Sequence, residues 1–268
     1  MPEGHVLHRL ADDLDEAFAG HPVTVSSPQG RFAAEALLLD GRTLTAARAV
    51  GKHLFVEFDD ERVVHIHLGL IGRMTVAPTH PVVGQVRLRI AADGRVADLR
   101  GPQGCRLTDP PTEAAMIARL GPDPLDPQAD PGRAYDRLRR SHRPLATVLL
   151  DQSVLAGVGN VYRAEVLFRH GVDPLLPANT VSPALWCRLW EDLVDLMAEG
   201  KRLGRIDTVR PDHTPEAMGR PPRVDDHGGE VYVYRRTEQP CLVCGTPIRQ
   251  RDLAGRNLFW CPTCQRGE

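Results

Sequence analysis

The chain has 268 residues, with 33 basic and 35 acidic side chains, 11 histidines and a formal net charge of −2 at pH 7. Its length suits two domains at the usual ~100 to 200 residues each, and the near balance of charge excludes a generic polyanion binder that is basic all over. No apolar run approaches the ~18 residues of a membrane span, and Glu3, Arg9, Asp12 and Asp13 interrupt the start where a signal-peptide core would be apolar, so a soluble, intracellular protein is expected.

A helix opens the chain, because Val6, Leu7, Leu10, Leu14, Ala17 and Phe18 recur at helical spacing and Pro2 suits a first turn. Short β-type runs follow at 23–26, 42–50, 53–58, 62–68, 74–77, 85–90 and 95–99. Their length and close spacing predict an antiparallel sandwich or barrel. A helical stretch at 111–120 and the proline-rich run at 121–127 mark a linker. Helices are then predicted at 133–140, 144–151, 161–170 and 183–203, the last capped by Ser182 with Leu185, Leu189, Leu193 and Leu196 on one face. Residues 204–229 are rich in Pro, Gly, Asp and His and lack periodicity, which predicts a long loop suited to act as a mobile lid.

Near the end stand Cys241-Leu-Val-Cys244, sixteen residues, and Cys261-Pro-Thr-Cys264. Each close pair can supply two thiolates to one side of a tetrahedron, so the pattern predicts a four-thiolate zinc ribbon, against redox or disulfide use of the same pairs. Cys105 and Cys187 read as single thiols in a reducing compartment.

Charge is unevenly placed. Residues 133–169 carry seven Arg against three acids, and residues 231–268 six against three. These segments point to a one-sided polyanion face, or to ordinary solvated helix surface. Between two predicted helices, Gly157-Val-Gly159-Asn160 can turn tightly and aim amides, helix dipole and the Asn160 side chain at a phosphate. The alternative is that Asn160 is a helix N-cap. Only Lys52 and Lys201 are lysines. An ammonium can transfer a proton where a guanidinium cannot, which marks Lys52 as a catalytic candidate against a plain surface role. Once the initiator methionine is removed, Pro2 becomes a secondary amine able to form an iminium with an aldehyde-like carbon, and Glu3 is placed for acid-base work. The structural alternative is a proline that starts a helix beside an acid that complements its dipole.

Pro2-Glu3-Gly4-His5, Gly51-Lys52-His53-Leu54, His67-Leu68-Gly69-Leu70, Leu149-Leu150-Asp151-Gln152 with Gly157-Val158-Gly159-Asn160-Val161-Tyr162, and Gly255-Arg256 through Trp260-Cys261-Pro262-Thr263-Cys264-Gln265 together resemble the formamidopyrimidine-DNA glycosylase and endonuclease VIII family. The resemblance runs in order from residue 2 to about 265. It implies an α+β multidomain fold: an N-terminal β-sandwich with an N-terminal helix (1–118), a linker (119–132), a helix-two-turn-helix domain (133–236) and a four-cysteine zinc-ribbon finger (237–268), with DNA in the cleft between domains. By position, Pro2 resembles the Schiff-base nucleophile and Glu3 the acid that assists sugar opening and base loss. Lys52 matches the lysine of phosphate contact and β-elimination, and Arg256 the arginine of phosphate gripping and δ-elimination. Asn160 and Arg119 match DNA-contacting positions, and Leu70 the wedge that fills the gap left by a flipped base. Cys241, Cys244, Cys261 and Cys264 match the ligands of one structural Zn2+.

The implied enzyme is a bifunctional DNA glycosylase and abasic-site lyase of base excision repair acting on damaged double-stranded DNA. It is expected to be monomeric, free of membrane, cytoplasmic, and nucleoid-associated while acting. The stretch Leu99-Arg100-Gly101-Pro102-Gln103-Gly104-Cys105 lacks the Asp-Pro-Arg-Arg-Phe-Gly motif of the formamidopyrimidine branch. With Leu70 at the wedge, this favours the endonuclease VIII branch and oxidised pyrimidines such as thymine glycol. An oxidised-purine glycosylase of the same family is the alternative, and a non-catalytic zinc-dependent DNA-binding protein a further one.

Overall fold

A computed structural model describes residues 2–224 and 229–266, which fall into two compact units, residues 1–119 and 120–268. The first opens with helix α1 (Gly4–Phe18), whose Leu7, Leu10, Leu14 and Phe18 are buried on one stripe as their spacing dictates. Strands β1 (His21–Pro22) and β2 (Thr24–Ser26) precede helix α2 (Ala33–Leu39). Seven strands follow: β3 (Thr43–Val50), β4 (His53–Phe58), β5 (Val63–His67), β6 (Arg73–Pro78), β7 (Leu88–Ala92), β8 (Arg95–Arg100) and β9 (Gly104–Thr108), then helix α3 (Pro110–Ile117).

Two antiparallel sheets result, in the orders β1-β3-β4-β5-β9 and β2-β7-β8-β6. The period of two sorts the side chains by face. Leu54, Val56 and Phe58 of β4 and Val64 and Ile66 of β5 share a core with Leu88 and Ile90 of β7, Ala97 and Leu99 of β8, and the α1 stripe. The opposite face of the five-stranded sheet receives His53, Phe55, His65 and His67 instead. The expected sandwich is therefore present. Sequence reading missed α2 and β9.

The second unit contains α4 (Pro131–Leu138), α5 (Leu145–Val148), α6 (Asn160–Arg169), α7 (Pro183–Leu203), α8 (Pro215–Met218) and a hairpin of β10 (Arg249–Leu253) and β11 (Arg256–Trp260). Helix α7 begins where expected: Pro183 stands at its first position and the Ser182 hydroxyl accepts from Leu185 N at 3.2 Å. Residues 160–168 of α6 are all buried, so this helix forms the centre of the unit. Leu145, Tyr162, Leu167 and Leu193 share one core with Ile248, Leu258 and Phe259 from the hairpin region.

The segment expected to be an irregular loop at 204–229 instead contains a 3-10 turn (Pro211–His213) and the α8 turn. Its two flanks meet at the fully buried carboxylate of Glu165. This accepts from Thr208 Oγ1 at 2.6 Å, Tyr232 N at 2.7 Å, and Val233 and Tyr234 N at 2.9 Å each. The lid reading includes residues 225–228, which lie outside the described residues.

Candidate active site and zinc centre

Glu3 is the N-cap residue of α1, with extended backbone, and Pro2 stands one residue before the cap rather than in the first turn. The Glu3 side chain makes no capping bond, yet it is 0% exposed. A carboxyl taken out of water is costly, and capping does not account for this one. Two residues further on, burial brings the His5 imidazole down to about 4, so this ring is neutral at neutral pH.

Lys52 lies in the two-residue turn joining β3 to β4, whose closing pair is Val50 and His53. In register across the sheet, Phe55 pairs with His65 and Leu54 with Ile66, which brings His53 level with His67. The three rings cluster: His53 and His65 stack with centroids 5.1 Å apart and a His53 Nδ1 to His65 Nε2 contact of 2.8 Å, and His67 is tilted against His53 with centroids 5.2 Å apart. Burial is the main reason that His53 and His65 are both lowered to about 4, and it lowers His67 as well. Lys52 and Arg106 add their positive charge to the lowering of His53 and His67. With the imidazoles neutral, the positive charge of this face comes from Lys52, Arg106 and Arg48, the last with its guanidinium 5.4 Å over the Phe55 ring.

The chain passes from β5 to β6 through a tight turn at 68–72 whose tip bears Leu70, 58% exposed, and Ile71, 87% exposed. Two adjacent aliphatic side chains held in water are the form a wedge between bases requires. Arg119 ends the first unit with an exposed side chain.

In the second unit, Gly159 is the N-cap of α6 and Asn160 the first helical residue, which removes the reading of Asn160 as a cap. Asn160 is 7% exposed, and its Nδ2 donates to Asn257 O at 3.0 Å. Its Oδ1 accepts from Arg163, which also donates to Asn257 O at 2.9 Å and to Ala146 O at 3.3 Å. An amide nitrogen carries two hydrogens, so Asn160 holds the hairpin with one donor and keeps a second. The residue next to Asn257 is Arg256, exposed at the start of β11 after the turn Ala254-Gly255. The structure therefore brings Asn160 and the Arg256 strand together.

The basic segment at 133–169 is less of a free surface than its composition suggests. Arg163 is 0% exposed, Arg169 forms a paired contact with Asp192 at 2.7 Å, and Arg143 and Arg139 pair with Asp151 and Asp136. Sequence reasoning also passed over Arg163 and Glu165 as functional supports. A charged residue inside an otherwise apolar helix stretch is the signal that could have found both.

The Sγ atoms of Cys241, Cys244, Cys261 and Cys264 all lie within 4.8 Å of one another. Cys241 and Cys264 are 3.8 Å apart and Cys244 and Cys261 3.5 Å. A tetrahedron with zinc–sulfur bonds of ~2.3 Å has edges of about 3.8 Å, so the set fits one structural zinc ion. Backbone amides of Val243 and Cys264 point at the sulfurs of Cys241 and Cys261 at 3.4 Å, which favours thiolates. Gln265 fastens this knuckle to the helices: its Oε1 accepts from Cys261 N at 2.9 Å and its Nε2 donates to Val172 O at 3.1 Å.

Sequence profiles match in the same order. The formamidopyrimidine-DNA glycosylase N-terminal domain matches residues 1–106, the formamidopyrimidine-DNA glycosylase H2TH domain residues 120–210, and the zinc finger found in FPG and IleRS residues 238–267. The chain is 49% identical to Endonuclease 8 1 of Mycobacterium tuberculosis over 99% of its own length and 100% of that protein's. It is 34% identical to a formamidopyrimidine-DNA glycosylase of Synechococcus, over 81% of this chain and 80% of that one. Among solved structures, the MutM (Fpg) protein of Thermus thermophilus superposes with a TM-score of 0.77 at 28% identity, each chain covered completely. From its first residues to its zinc knuckle, the chain belongs to the formamidopyrimidine-DNA glycosylase and endonuclease 8 family.

Proposed function

We propose that the protein is a bifunctional DNA glycosylase and abasic-site lyase of base excision repair. It removes oxidised pyrimidines from double-stranded DNA through a Schiff base on Pro2 and cleaves the strand by β,δ-elimination. The observation that carries this reading is the fully buried Glu3 carboxyl, directly after Pro2 at the start of α1 and not used as a cap. The positive end of the helix dipole disfavours an ammonium at Pro2 and so favours the nucleophilic amine.

The chemistry follows from these groups. The Pro2 nitrogen forms a bond to C1′ as the base leaves with the glycosidic electron pair and takes up a proton. Glu3 gives its proton to O4′ as the sugar ring opens, leaving an iminium. The iminium acidifies the C2′ proton, whose removal expels the 3′ phosphate, and a second elimination expels the 5′ phosphate. Hydrolysis of the iminium then returns Pro2, leaving a one-nucleotide gap. Lys52 assists the first elimination, and Arg256 grips the phosphate and assists the second. Asn160 and Arg119 hold the backbone, and Leu70 fills the space vacated by the extruded nucleotide. The zinc ion keeps the Arg256 hairpin folded.

Two features support the pyrimidine leaning: the missing Arg-Phe pair at 99–105 and the endonuclease 8 name of the relative at 49% identity. Single-turnover excision on duplexes carrying thymine glycol, or 8-oxoguanine opposite cytosine, tests it. Faster release of thymine glycol is expected. Preference for 8-oxoguanine would assign the purine substrate instead.

A further inference from the structure

Two connections between the sheets run side by side. Residues 68–72 lead from β5 to β6, and residues 101–103 lead from β8 back to β9. Because β5 pairs with β9 (His67 opposite Gly104) and β6 with β8 (Arg73 opposite Arg100), both connections are flanked by the same two strand pairs. The second therefore lies along the turn that carries Leu70 and Ile71.

Gln103 makes the contact specific. Its backbone N–H donates to Leu68 O at 3.3 Å, the same carbonyl that closes the turn by accepting from Gly72 N at 3.1 Å. Its side chain faces the same turn. It also lies directly on Gly69: a Cβ built there would stand 2.7 Å from Gln103 Cβ and 2.9 Å from its Oε1. Gly69 has φ +71°, and a Cβ at Gly72 would fall 2.2 Å from Leu68 O, so the turn is too tight for side chains at either position. Leu70 and Ile71 project from it with little packing of their own. The backbone hydrogen bond from Gln103 and the contact of its side chain with Gly69 supply the support that packing does not.

We infer that Gln103 is a positioning residue for base extrusion: it braces the 68–72 turn so that Leu70 and Ile71 meet the duplex already in the inserting conformation. This rests on the glycosylase reading above. A pre-ordered wedge loses less conformational entropy on insertion than a loose one, so the brace acts on nucleotide extrusion and not on bond cleavage.

The test is a cycle of Gln103→Ala and Leu70→Ala in the full chain. Two rates are compared for each: single-turnover excision of thymine glycol from duplex, and borohydride trapping on an abasic site in a single strand, where no stack needs opening. Fluorescence of 2-aminopurine opposite the lesion reports insertion. Gln103→Ala, which keeps the backbone bond to Leu68 and removes the side chain that lies on Gly69, is expected to lower the ratio of the first rate to the second roughly tenfold, and to delay the fluorescence change. In the Leu70→Ala background it is expected to lower the ratio no further. An unchanged ratio, effects that multiply in the double variant, or loss of single-strand trapping with Gln103→Ala would each overturn the inference. Absence of trapping in the parent protein would instead overturn the lyase reading on which it rests.

Discussion

Replacing Glu165 by glutamine should unsettle the second unit out of proportion to the exchange of one oxygen for a nitrogen. The carboxylate receives four donors: the Thr208 hydroxyl and Tyr232 N on one oxygen, Val233 N and Tyr234 N on the other. A glutamine oxygen can still accept from Val233 and Tyr234. The amide nitrogen, however, would face the Tyr232 N–H, donor against donor, at a position now bridged by 2.7 Å. The Thr208 hydroxyl can turn to accept, but the Tyr232 amide cannot. One unsatisfied buried donor costs about 1 to 3 kcal/mol, and exchange of charged for neutral acceptors removes about 1 more. At about 2 to 4 °C per kcal/mol for a unit of this size, a fall in Tm of roughly 4 to 16 °C is expected. Thr208→Val removes only a hydroxyl and should cost ~1 kcal/mol. Scanning calorimetry of the parent and both variants measures this. A Glu165→Gln protein melting within ~2 °C of the parent would refute the four-donor account.

Metal analysis should find one zinc per chain. Cys261→Ser should lower zinc content and also the melting temperature of the helical part, because Cys261, Leu258 and Phe259 lie in the same core as the helices. Helical melting indifferent to zinc would contradict that shared core. The pH dependence has a definite sign. His5, His53 and His65 fall from the ordinary 6.5 to about 4 in the folded chain, so unfolding takes up protons between these values. Their contribution is complete above pH 6.5 and is lost as pH falls toward 4. Allowing for solvent screening, a loss of roughly 1 kcal/mol per ring is expected. Denaturant titrations with a His53→Phe/His65→Phe variant measure it, and an unaltered slope between pH 6.5 and 4 would remove the pair from the account.

Much of this was legible where local signals and packing agree. Strand 53–58 and helix 183–203 coincide with the expected spans, because one is a short run rich in apolar and aromatic residues and the other has a cap, an apolar stripe and a terminal glycine. Helix Ala33–Leu39 escaped because it buries only Ala36 and Leu39 while Leu37 and Leu38 face water, so seven residues show no clean period. Strand Gly104–Thr108 is an edge strand with mixed side chains, and only its long-range pairing with β5 defines it. Of the site, the cysteine spacing carried its own geometry. The embedding of Asn160, Arg163 and Glu165 did not, because their partners lie 94 to 97 residues away at Asn257, and 43 to 69 away at Thr208 and Tyr232 to Tyr234. Gln103 was noticed only as part of a missing motif. Its contacts with Leu68 and Gly69 depend on two connections that the sheet order places together.

The central claim is that the Pro2 amine bonds covalently to the sugar. Borohydride trapping of the methionine-processed protein on thymine glycol, 8-oxoguanine and abasic duplexes tests it most directly, with Pro2→Gly retaining an amine and an amine-blocked protein lacking one. A trapped adduct on thymine glycol that maps to the N-terminal peptide and vanishes when the amine is blocked is expected. DNA that binds but is never trapped, or an adduct that survives blocking, would contradict it.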